Sequence, residues 1–235
     1  MIGPAKVRLL DIDPDLGAAL TTEAFKAARH DLVVGIQCIA GPDWRPDCRP
    51  REAGHLGFLM TSGMMVREMR IGRGRGIELL TAGDLLRPSQ EDSASFVTAR
   101  WRILERIELA ELDQRLATAL GRFPPLVDAL LGRVMERSRS QAAYAAIESV
   151  RGLDEKLLTL FWHLAERHGT RTEQGVSIPL PLTHQILADL VGARRPSVSL
   201  TLKRLSDDGL VIRTGDGWLL GRDLPVHLLP AGDTV

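Results

Sequence analysis

Between residue 32 and about residue 109 the apolar positions come in short runs or alternate with polar ones. "LVVGIQCIA" (32–40) is one such run, and "HLGFLMTSGMMVREMRIGRGRGIELLTAGDLLRP" (55–88) contains several more. Gly-bearing turns separate these runs about every 8–12 residues, which is the spacing of an antiparallel sandwich or barrel. In "ARWRILERIEL" (99–109) apolar residues occupy alternate positions, although Leu104 and Glu105 break the alternation. This part of the chain is therefore predicted to be β-rich.

Helical periodicity precedes and follows the predicted strands. Residues 16–29 combine helical spacing with residues of high helix propensity. After residue 110 the period changes again, and residues 123–150 predict one long helix with Pro124 and Pro125 near its start. Its expected apolar stripe consists of Leu126, Leu130, Val134, Gln141, Ala142 and Ala145. A partner subunit could cover such a helix, or the same chain could bury it.

The last third of the chain predicts a small helical unit that ends in a hairpin. Residues 153–169 form an amphipathic helix with Gly169 as its C-cap. A short strand, "VSIPLP", comes before two further helices in the segment 182–211. "LVIRT" and "WLLG" then predict two strands joined by the turn "GDG". The change in pattern places a boundary near residue 150.

The two helices of segment 182–211 have clear end signals. Thr183 is a favourable N-cap, Gly192 ends the first helix, and Pro196 lies in the first turn of the second, where its missing N–H costs little. On the second helix, Val198, Leu202 and Leu205 are expected to face inward. The expected outward face consists of Pro196, Ser199, Leu200 and Lys203, with Ser197 and Arg204 at its edges.

Helix, short turn, helix and hairpin make the layout of a winged helix-turn-helix. In that layout an arginine at the start of the second helix can bond O6 and N7 of guanine. Lys203, Arg204 and, on the hairpin, Arg213 can supply charge to phosphate oxygens. The alternative is an αα-hairpin whose arginines only face water. The winged form is favoured because it accounts for the N-cap, the turn, the proline, the apolar spacing and the β-hairpin together.

"LTHQILADLVGARRPSVSLTLKRLSDDGLV" resembles the DNA-binding helices of the Crp–Fnr superfamily of bacterial transcription regulators. The signature G-x-x-R-x-[ST]-V-x-x-x-L-x-x-L is met by Gly192, Arg195, Ser197, Val198, Leu202 and Leu205. The resemblance implies an α+β fold with an N-terminal antiparallel, jelly-roll-like β-roll, a long dimerisation helix and a C-terminal winged helix-turn-helix. It implies a degenerate cyclic-nucleotide-binding-like sensor at 1–120, the dimerisation helix at 121–150 and the DNA-binding domain at 151–235.

The resemblance also implies roles for individual residues. Arg195 matches the guanine-reading arginine of the family, and Lys203 matches a phosphate contact. Pro196 stands where many members have a base-reading glutamate, and Leu200 where many have a second base-reading arginine. We therefore expect a half-site different from that of the cyclic-AMP receptor protein, with Leu200 against a thymine methyl. The full expected DNA-binding set is Thr183, His184, Arg194, Arg195, Ser197, Ser199, Leu200, Lys203, Arg204 and Arg213.

The β-roll departs from the family pattern for cyclic nucleotides. Relatives place a glutamate after the "GD" turn to bond the ribose, and an Arg-Ser pair to hold the phosphate. Arg87-Pro88 and Ser93-Ala94 stand at these places here, and nearby acidic residues would repel a phosphate. We expect no cyclic-AMP binding of the usual kind and no cofactor. Any other effector would face Leu85, Arg87, Ser93 and Ser95.

The overall composition limits the classes of function that the chain can have, but it does not identify an effector. Thirty basic and thirty acidic residues cancel, so DNA binding must come from a local patch. Cys38 and Cys48 cannot alone hold a structural zinc; they are ordinary thiols or, alternatively, a redox pair. With no signal-peptide pattern and no long apolar run, we expect a cytoplasmic protein without membrane contact. The sequence shows no set of residues typical of a metal site or a catalytic centre, so we do not expect an enzyme.

Several alternatives remain open. "GRGRG" (72–76) lacks the strand–turn–helix context of a phosphate-binding loop, so a hairpin turn is expected there. Its Arg73 and Arg75 are available to a partner, for which family analogy suggests RNA polymerase. The β-roll could be a scaffold in a ligand-independent DNA binder, or the winged helix could contact proteins. A cyclic-nucleotide-controlled enzyme would need catalytic residues that the sequence does not show.

Overall fold

In a computed structural model of the chain, residues 5–46, 54–88 and 96–225 can be described. They fall into two compact units, Met1–Arg139 and Ser140–Val235. The division lies inside the long helix rather than at its end near residue 150. The expected α+β fold, with an antiparallel sheet and a C-terminal helix-turn-helix, is confirmed.

Unit 1 is built on an antiparallel sheet. Its main path runs β1-β2-β7-β4-β5, with β3 added to β7 and β6 added to β4. Short helices precede and follow the strands, and the long helix α4 begins in this unit. The elements are β1 (Ala5–Arg8), α1 (Leu9–Ile12), α2 (Thr22–Asp31), β2 (Val33–Ile39), β3 (Asp43–Trp44), β4 (Gly57–Ile71), β5 (Gly74–Thr81), β6 (Leu85–Leu86), β7 (Val97–Leu112), α3 (Gln114–Leu120) and α4 (Pro124–Ser149).

Strand β4 corrects the expectation of short runs separated by glycine turns. It begins at Gly57 and continues through Gly63, and its pairing with β7 shifts register around Gly63. Gly63 has a φ of +83°, and a Cβ there would lie 2.0 Å from the carbonyl oxygen of Arg106. The glycine therefore allows a bulge within the strand, not a turn. The expected hairpin turn does occur in "GRGRG", where Ile71 pairs with Gly74.

The interior of unit 1 contains two apolar clusters. One surrounds the tryptophans Trp44 and Trp101, whose rings meet edge to face at 5.3 Å, together with Phe58. The other packs α1, α2, α3 and the start of α4 against the sheet, and contains Leu9, Leu32, Leu59, Leu112, Leu116, Leu126 and Leu130. Both tryptophans are thus core residues, which is how their aromatic surface avoids water.

The N-terminal helix is shorter than its sequence pattern predicted. Residues 14–17 form a 3-10 turn, and α2 begins only at Thr22. The side chain of Thr21 accepts a hydrogen bond from the backbone N–H of Ala24 at 3.3 Å. This N-cap starts the helix after the proline-containing turn, which the apolar spacing of 16–29 could not reveal.

Helix α4 has the predicted extent but not the predicted stripe. Leu126 and Leu130 are buried within the chain, whereas Val134 is 50% exposed and Gln141, Ala142 and Ala145 are also exposed. The buried side continues instead through Tyr144 and Ile147. The expected stripe therefore combined two different faces, because apolar spacing alone cannot separate faces about 100° apart on a helix.

Unit 2 contains the remaining helices and a four-stranded antiparallel sheet of order β10-β11-β9-β8. Strand β8 was not foreseen, because its residues are all exposed and polar. Phe161 and the fully buried Trp218 pack together in its interior at 5.0 Å. The elements are α5 (Leu153–His168), β8 (Thr170–Thr172), β9 (Gly175–Ile178), α6 (His184–Leu190), α7 (Arg195–Asp207), β10 (Val211–Arg213) and β11 (Trp218–Leu220).

Candidate nucleic-acid interface

The helix-turn-helix is formed by α6 and α7, and its local signals act as predicted. The hydroxyl of Thr183 accepts from the backbone N–H of Ile186 at 3.3 Å, which caps α6. After α6, Gly192 adopts a φ of +65°, a conformation that favours glycine, and turns the chain. Pro196 occupies the first turn of α7, where no helical hydrogen bond needs its missing N–H.

Helix α7 separates an apolar side from an exposed side. Val198, Leu202 and Leu205 are buried, as their spacing predicted. The exposed side carries most of the predicted DNA contacts. Residues exposed there are Arg194, just before the helix, and Arg195, Pro196, Ser197, Leu200, Lys203 and Arg204. Leu200 is 65% exposed, an arrangement that costs free energy in water unless a partner covers the side chain.

Four predicted contact residues, which come from three separate segments of the chain, line one cleft. Its volume is about 590 Å³, and Leu182 and Gln185 complete the lining. The four are Thr183 and His184 from the start of α6, Arg195 from α7 and Arg213 from β10. Two guanidinium groups therefore converge beside the exposed face of α7, which makes this the cationic region expected of a nucleic-acid interface.

Arg213 is held in place by its own unit. Its Nη1 donates to the backbone carbonyl of Leu182 at 2.8 Å, and its guanidinium lies 4.8 Å from the ring centre of Trp218. These contacts fix the group at the edge of the cleft while leaving the residue exposed. A cation that is already ordered loses less conformational entropy when it binds an anion.

A hydrogen bond between His184 and Ser199 joins α6 to α7. Nδ1 of His184 and the hydroxyl oxygen of Ser199 lie 2.8 Å apart. Burial is the main cause that lowers the pKa of His184, and the nearby charges of Arg195 and Arg213 lower this pKa further. Both residues were predicted to lie near DNA, but their contact with each other was not predicted, since no local pattern signals a pair fifteen positions apart.

Arg204 has a partner within the protein. Its Nη2 donates to the carboxylate of Asp154 at 2.6 Å, and lies 3.4 Å from the hydroxyl of Thr201. Asp154 belongs to the first turn of α5, so the ion pair ties α7 to that helix. Arg204 was expected to be a phosphate contact from its edge position, but here Nη2 of its guanidinium is engaged within the protein.

The "GD" turn predicted for the β-roll is present in unit 1. Gly83 has a φ of +91°, and the buried carboxylate of Asp84 accepts from the backbone N–H of Thr81 at 2.8 Å. Of the expected effector-facing residues, Leu85 is half-buried and Arg87 is exposed. Ser93 and Ser95, with the acidic residues beside them, lie outside the described residues, as does Cys48.

The structure bears on metals and membranes only within its described ranges. Within them, no group of three or more His, Cys, Asp or Glu side chains could hold a metal ion. Nor does any helix among them combine the length and apolar character needed to cross a membrane. Cys38 is an exposed free thiol, 3.6 Å from Oε1 of Glu108.

Comparison with known proteins supports the same domain and fold. The sequence model of the Crp-like helix-turn-helix domain matches residues 155–224. A comparison with curated protein sequences gave no match. Among solved structures, a CooA variant from Carboxydothermus hydrogenoformans is similar at 17% identity and a TM-score of 0.62. That alignment covers 91% of this chain and 92% of CooA.

Two further solved structures have the same fold. A cyclic nucleotide-binding domain containing protein from Listeria monocytogenes aligns with a TM-score of 0.63 at 15% identity, covering 88% of this chain and 96% of that one. FixK2 from Bradyrhizobium japonicum aligns with a TM-score of 0.59 at 15% identity, covering 82% and 94% respectively. The predicted resemblance to the Crp–Fnr superfamily is confirmed, in sequence over the C-terminal domain and in fold over most of the chain.

Proposed function

We propose that this chain, which carries a Crp-like helix-turn-helix domain on the fold of the Crp–Fnr regulators, is a dimeric, sequence-specific DNA-binding transcription regulator. One observation carries the proposal: the solvent-exposed side of α7 presents Arg195, Leu200 and Lys203, while Arg213 lies beside it at the cleft. This is the side that a recognition helix turns toward the major groove.

Each exposed group has a task that fits its chemistry. Arg195, in the first turn of α7, can donate two hydrogen bonds to a guanine edge. Lys203 and Arg213 can contact phosphate oxygens, which increases affinity without reading the sequence. Leu200 offers an apolar surface suited to a thymine methyl, and with Pro196 it replaces polar base contacts made by many relatives. The operator should therefore differ from that of the cyclic-AMP receptor protein.

The dimer is supported by a second face of α4. Val127, Leu131 and Val134 are 39%, 57% and 50% exposed, and they follow each other at spacings of four and three residues. Ser138, Gln141 and Ala145 continue the same spacing and are also exposed. The apolar members of this row, Val127, Leu131 and Val134, have the seam spacing of a two-stranded coiled coil, and apolar side chains left in water favour association. A second copy of the chain is the partner that the resemblance implies.

Control by cyclic AMP of the usual kind is not part of the proposal. Arg87 and Pro88 replace the residues that bond a ribose in relatives. The carbonyl oxygen of Leu85, next to the "GD" turn, accepts a hydrogen bond from Arg137 at 2.5 Å. Isothermal calorimetry at modest salt should give no cyclic-AMP binding; binding at micromolar concentration or tighter would contradict this part.

The main test is selection of DNA from a random pool, followed by affinity measurements on the selected site. Arg195→Ala should cost about 1–3 kcal/mol and relax the preference at one base pair in each half-site. Arg115→Ala removes an equal charge from an exposed position of α3 and should leave affinity unchanged. Equal affinity of wild type and Arg195→Ala across all sites would contradict the proposal, and would favour a protein-binding role for the winged helix.

A further inference from the structure

We propose that the cleft lined by His184, Arg195 and Arg213 binds one phosphate group of the DNA backbone and that His184 takes up a proton when it does so. The proposal rests on the DNA-binding function above and adds a site and a linkage to it. DNA binding by this protein would then strengthen as the pH falls.

The geometry of the cleft suits a single anion. Three elements each contribute one group that can carry positive charge: α6 gives His184, α7 gives Arg195 and β10 gives Arg213. The remaining lining residues, Leu182, Thr183 and Gln185, are uncharged, and within the described ranges of the chain no carboxylate lines the cleft. A phosphate here would meet the guanidinium of Arg213, which Leu182 and Trp218 hold in place and which can form strong charge-assisted hydrogen bonds with it. The positive charge of Arg195 lies in the same cleft.

The imidazole of His184 is held at a defined place in this cleft. Its Nδ1 lies 2.8 Å from the hydroxyl oxygen of Ser199 on α7, and its ring lies 6.2 Å from that of Trp218 on β11. Both neighbours are uncharged. The carboxylate on its own helix is that of Asp189, which accepts a hydrogen bond from the side chain of Gln185 at 3.0 Å.

Protonation changes what this imidazole can donate. A neutral imidazole has one N–H, whereas the imidazolium has two. In the charged form both nitrogens donate, Nδ1–H to the hydroxyl oxygen of Ser199 and Nε2–H to an oxygen of the phosphate, and the positive charge strengthens the second bond. The proton comes from solvent, and no covalent bond to the phosphate forms or breaks.

The electrostatics give the direction of the linkage. In the free protein, burial and the charges of Arg195 and Arg213 lower the pKa of His184, so the ring is neutral near neutral pH. A phosphate in the cleft places negative charge beside the ring, which raises its pKa. Proton and DNA then favour each other's binding by the same factor, as thermodynamic linkage requires.

The test measures affinity for a short fluorescein-labelled DNA duplex of random sequence, by anisotropy at fixed ionic strength, between about pH 5.5 and 8. A random duplex suffices because phosphate contacts do not depend on base sequence. The wild type should gain up to about tenfold in affinity per pH unit for each bound helix-turn-helix as the pH falls. His184→Gln, which can still bond Ser199, should bind with a flatter pH profile.

A matched control is His30→Gln, which removes an exposed histidine of α2 and should keep the wild-type profile. Titration of the histidine NMR signals of the wild type, with and without the duplex, should show the pKa of one imidazole rising on binding and should not depend on any variant's folding. Equal pH slopes for wild type and His184→Gln would overturn the proton linkage while leaving DNA binding intact. No binding at any pH would instead overturn the proposed function.

Discussion

Arg137 of α4 and Glu78 of β5 form a bidentate ion pair in the interior of unit 1. Nε and Nη2 of Arg137 donate to the two carboxylate oxygens at 2.6 and 3.0 Å, and Nη1 donates to the carbonyl of Leu85. The side chains are only 15% and 5% exposed. The long helix is thereby attached to the β-roll by charge as well as by apolar packing.

Removing one partner of this pair should be costly. Arg137→Ala would remove both of these donors from the buried carboxylate of Glu78, which also pairs with Arg67 at the longer distance of 3.9 Å. Breaking a buried pair typically costs about 3–5 kcal/mol, and we expect a loss toward the lower end of that range in urea unfolding. Arg139→Ala is the matched control: Arg139 is 72% exposed, and losing its pair with Glu136 should cost under about 1 kcal/mol. Equal losses would contradict the assigned role of the pair.

The exposed stripe of α4 predicts the effect of a charge placed on it. Leu131→Glu puts a carboxylate in the middle of the proposed seam, so the chain should sediment as a monomer and bind its palindromic operator far more weakly. Ala146→Glu adds the same charge at an exposed position about 100° around the helix from Ala145 of the seam and should leave the dimer intact. Analytical ultracentrifugation of both variants measures their oligomeric state. A Leu131→Glu variant that remains a dimer would contradict the proposal that this face of α4 forms the interface.

Lys203 and Arg204 are adjacent on α7, but the structure predicts unequal contributions to DNA binding. Lys203 is exposed, whereas Arg204 is engaged by Asp154. Lys203→Ala should therefore reduce the slope of log affinity against log salt by about 1, and Arg204→Ala by clearly less. In an Asp154→Asn background Arg204 is released, and its removal should then have a larger effect. Identical slopes for the two single variants would contradict this assignment.

His168 predicts acid sensitivity of unit 2. Burial is the main reason that its pKa falls to about 4 in the folded chain, with the charges of Arg167 and His163 adding to the effect. The unfolded chain binds this proton near the ordinary pKa of about 6.5, so protonation favours unfolding. The stability that neutral His168 contributes is therefore fully present above about pH 6.5 and is lost as the pH falls toward 4. Between these two pH values the melting temperature of His168→Gln should fall less than that of the wild type. An equal fall in both proteins would contradict this role of His168.

Much of the helix-turn-helix could be predicted because its signals are local. The N-cap at Thr183, the turn at Gly192 and the proline start of α7 each depend on neighbouring residues. The buried positions Val198, Leu202 and Leu205 follow from helical period alone. Local backbone preference and apolar spacing are strong wherever a short segment forms most of its own contacts.

Predictions failed where one pattern could satisfy two arrangements. Gly63 could have marked a turn or a bulge, and only its close approach to the backbone of Arg106 selects the bulge. Apolar residues on α4 could have formed one stripe or two, and only the packing of Leu126 and Leu130 against the sheet leaves Val134 exposed. In both cases the deciding contact comes from a residue distant in sequence.

The sequence by itself determined the α+β class, the helix-turn-helix with its caps, and the identity of the residues available to touch DNA. Tertiary structure decided which of those residues act together: His184 with Ser199, Arg195 with Arg213 in one cleft, and Arg204 with Asp154 instead of solvent. The physical reason is that hydrogen bonds and ion pairs depend on distances of a few ångströms between segments whose sequence separation carries no local signal.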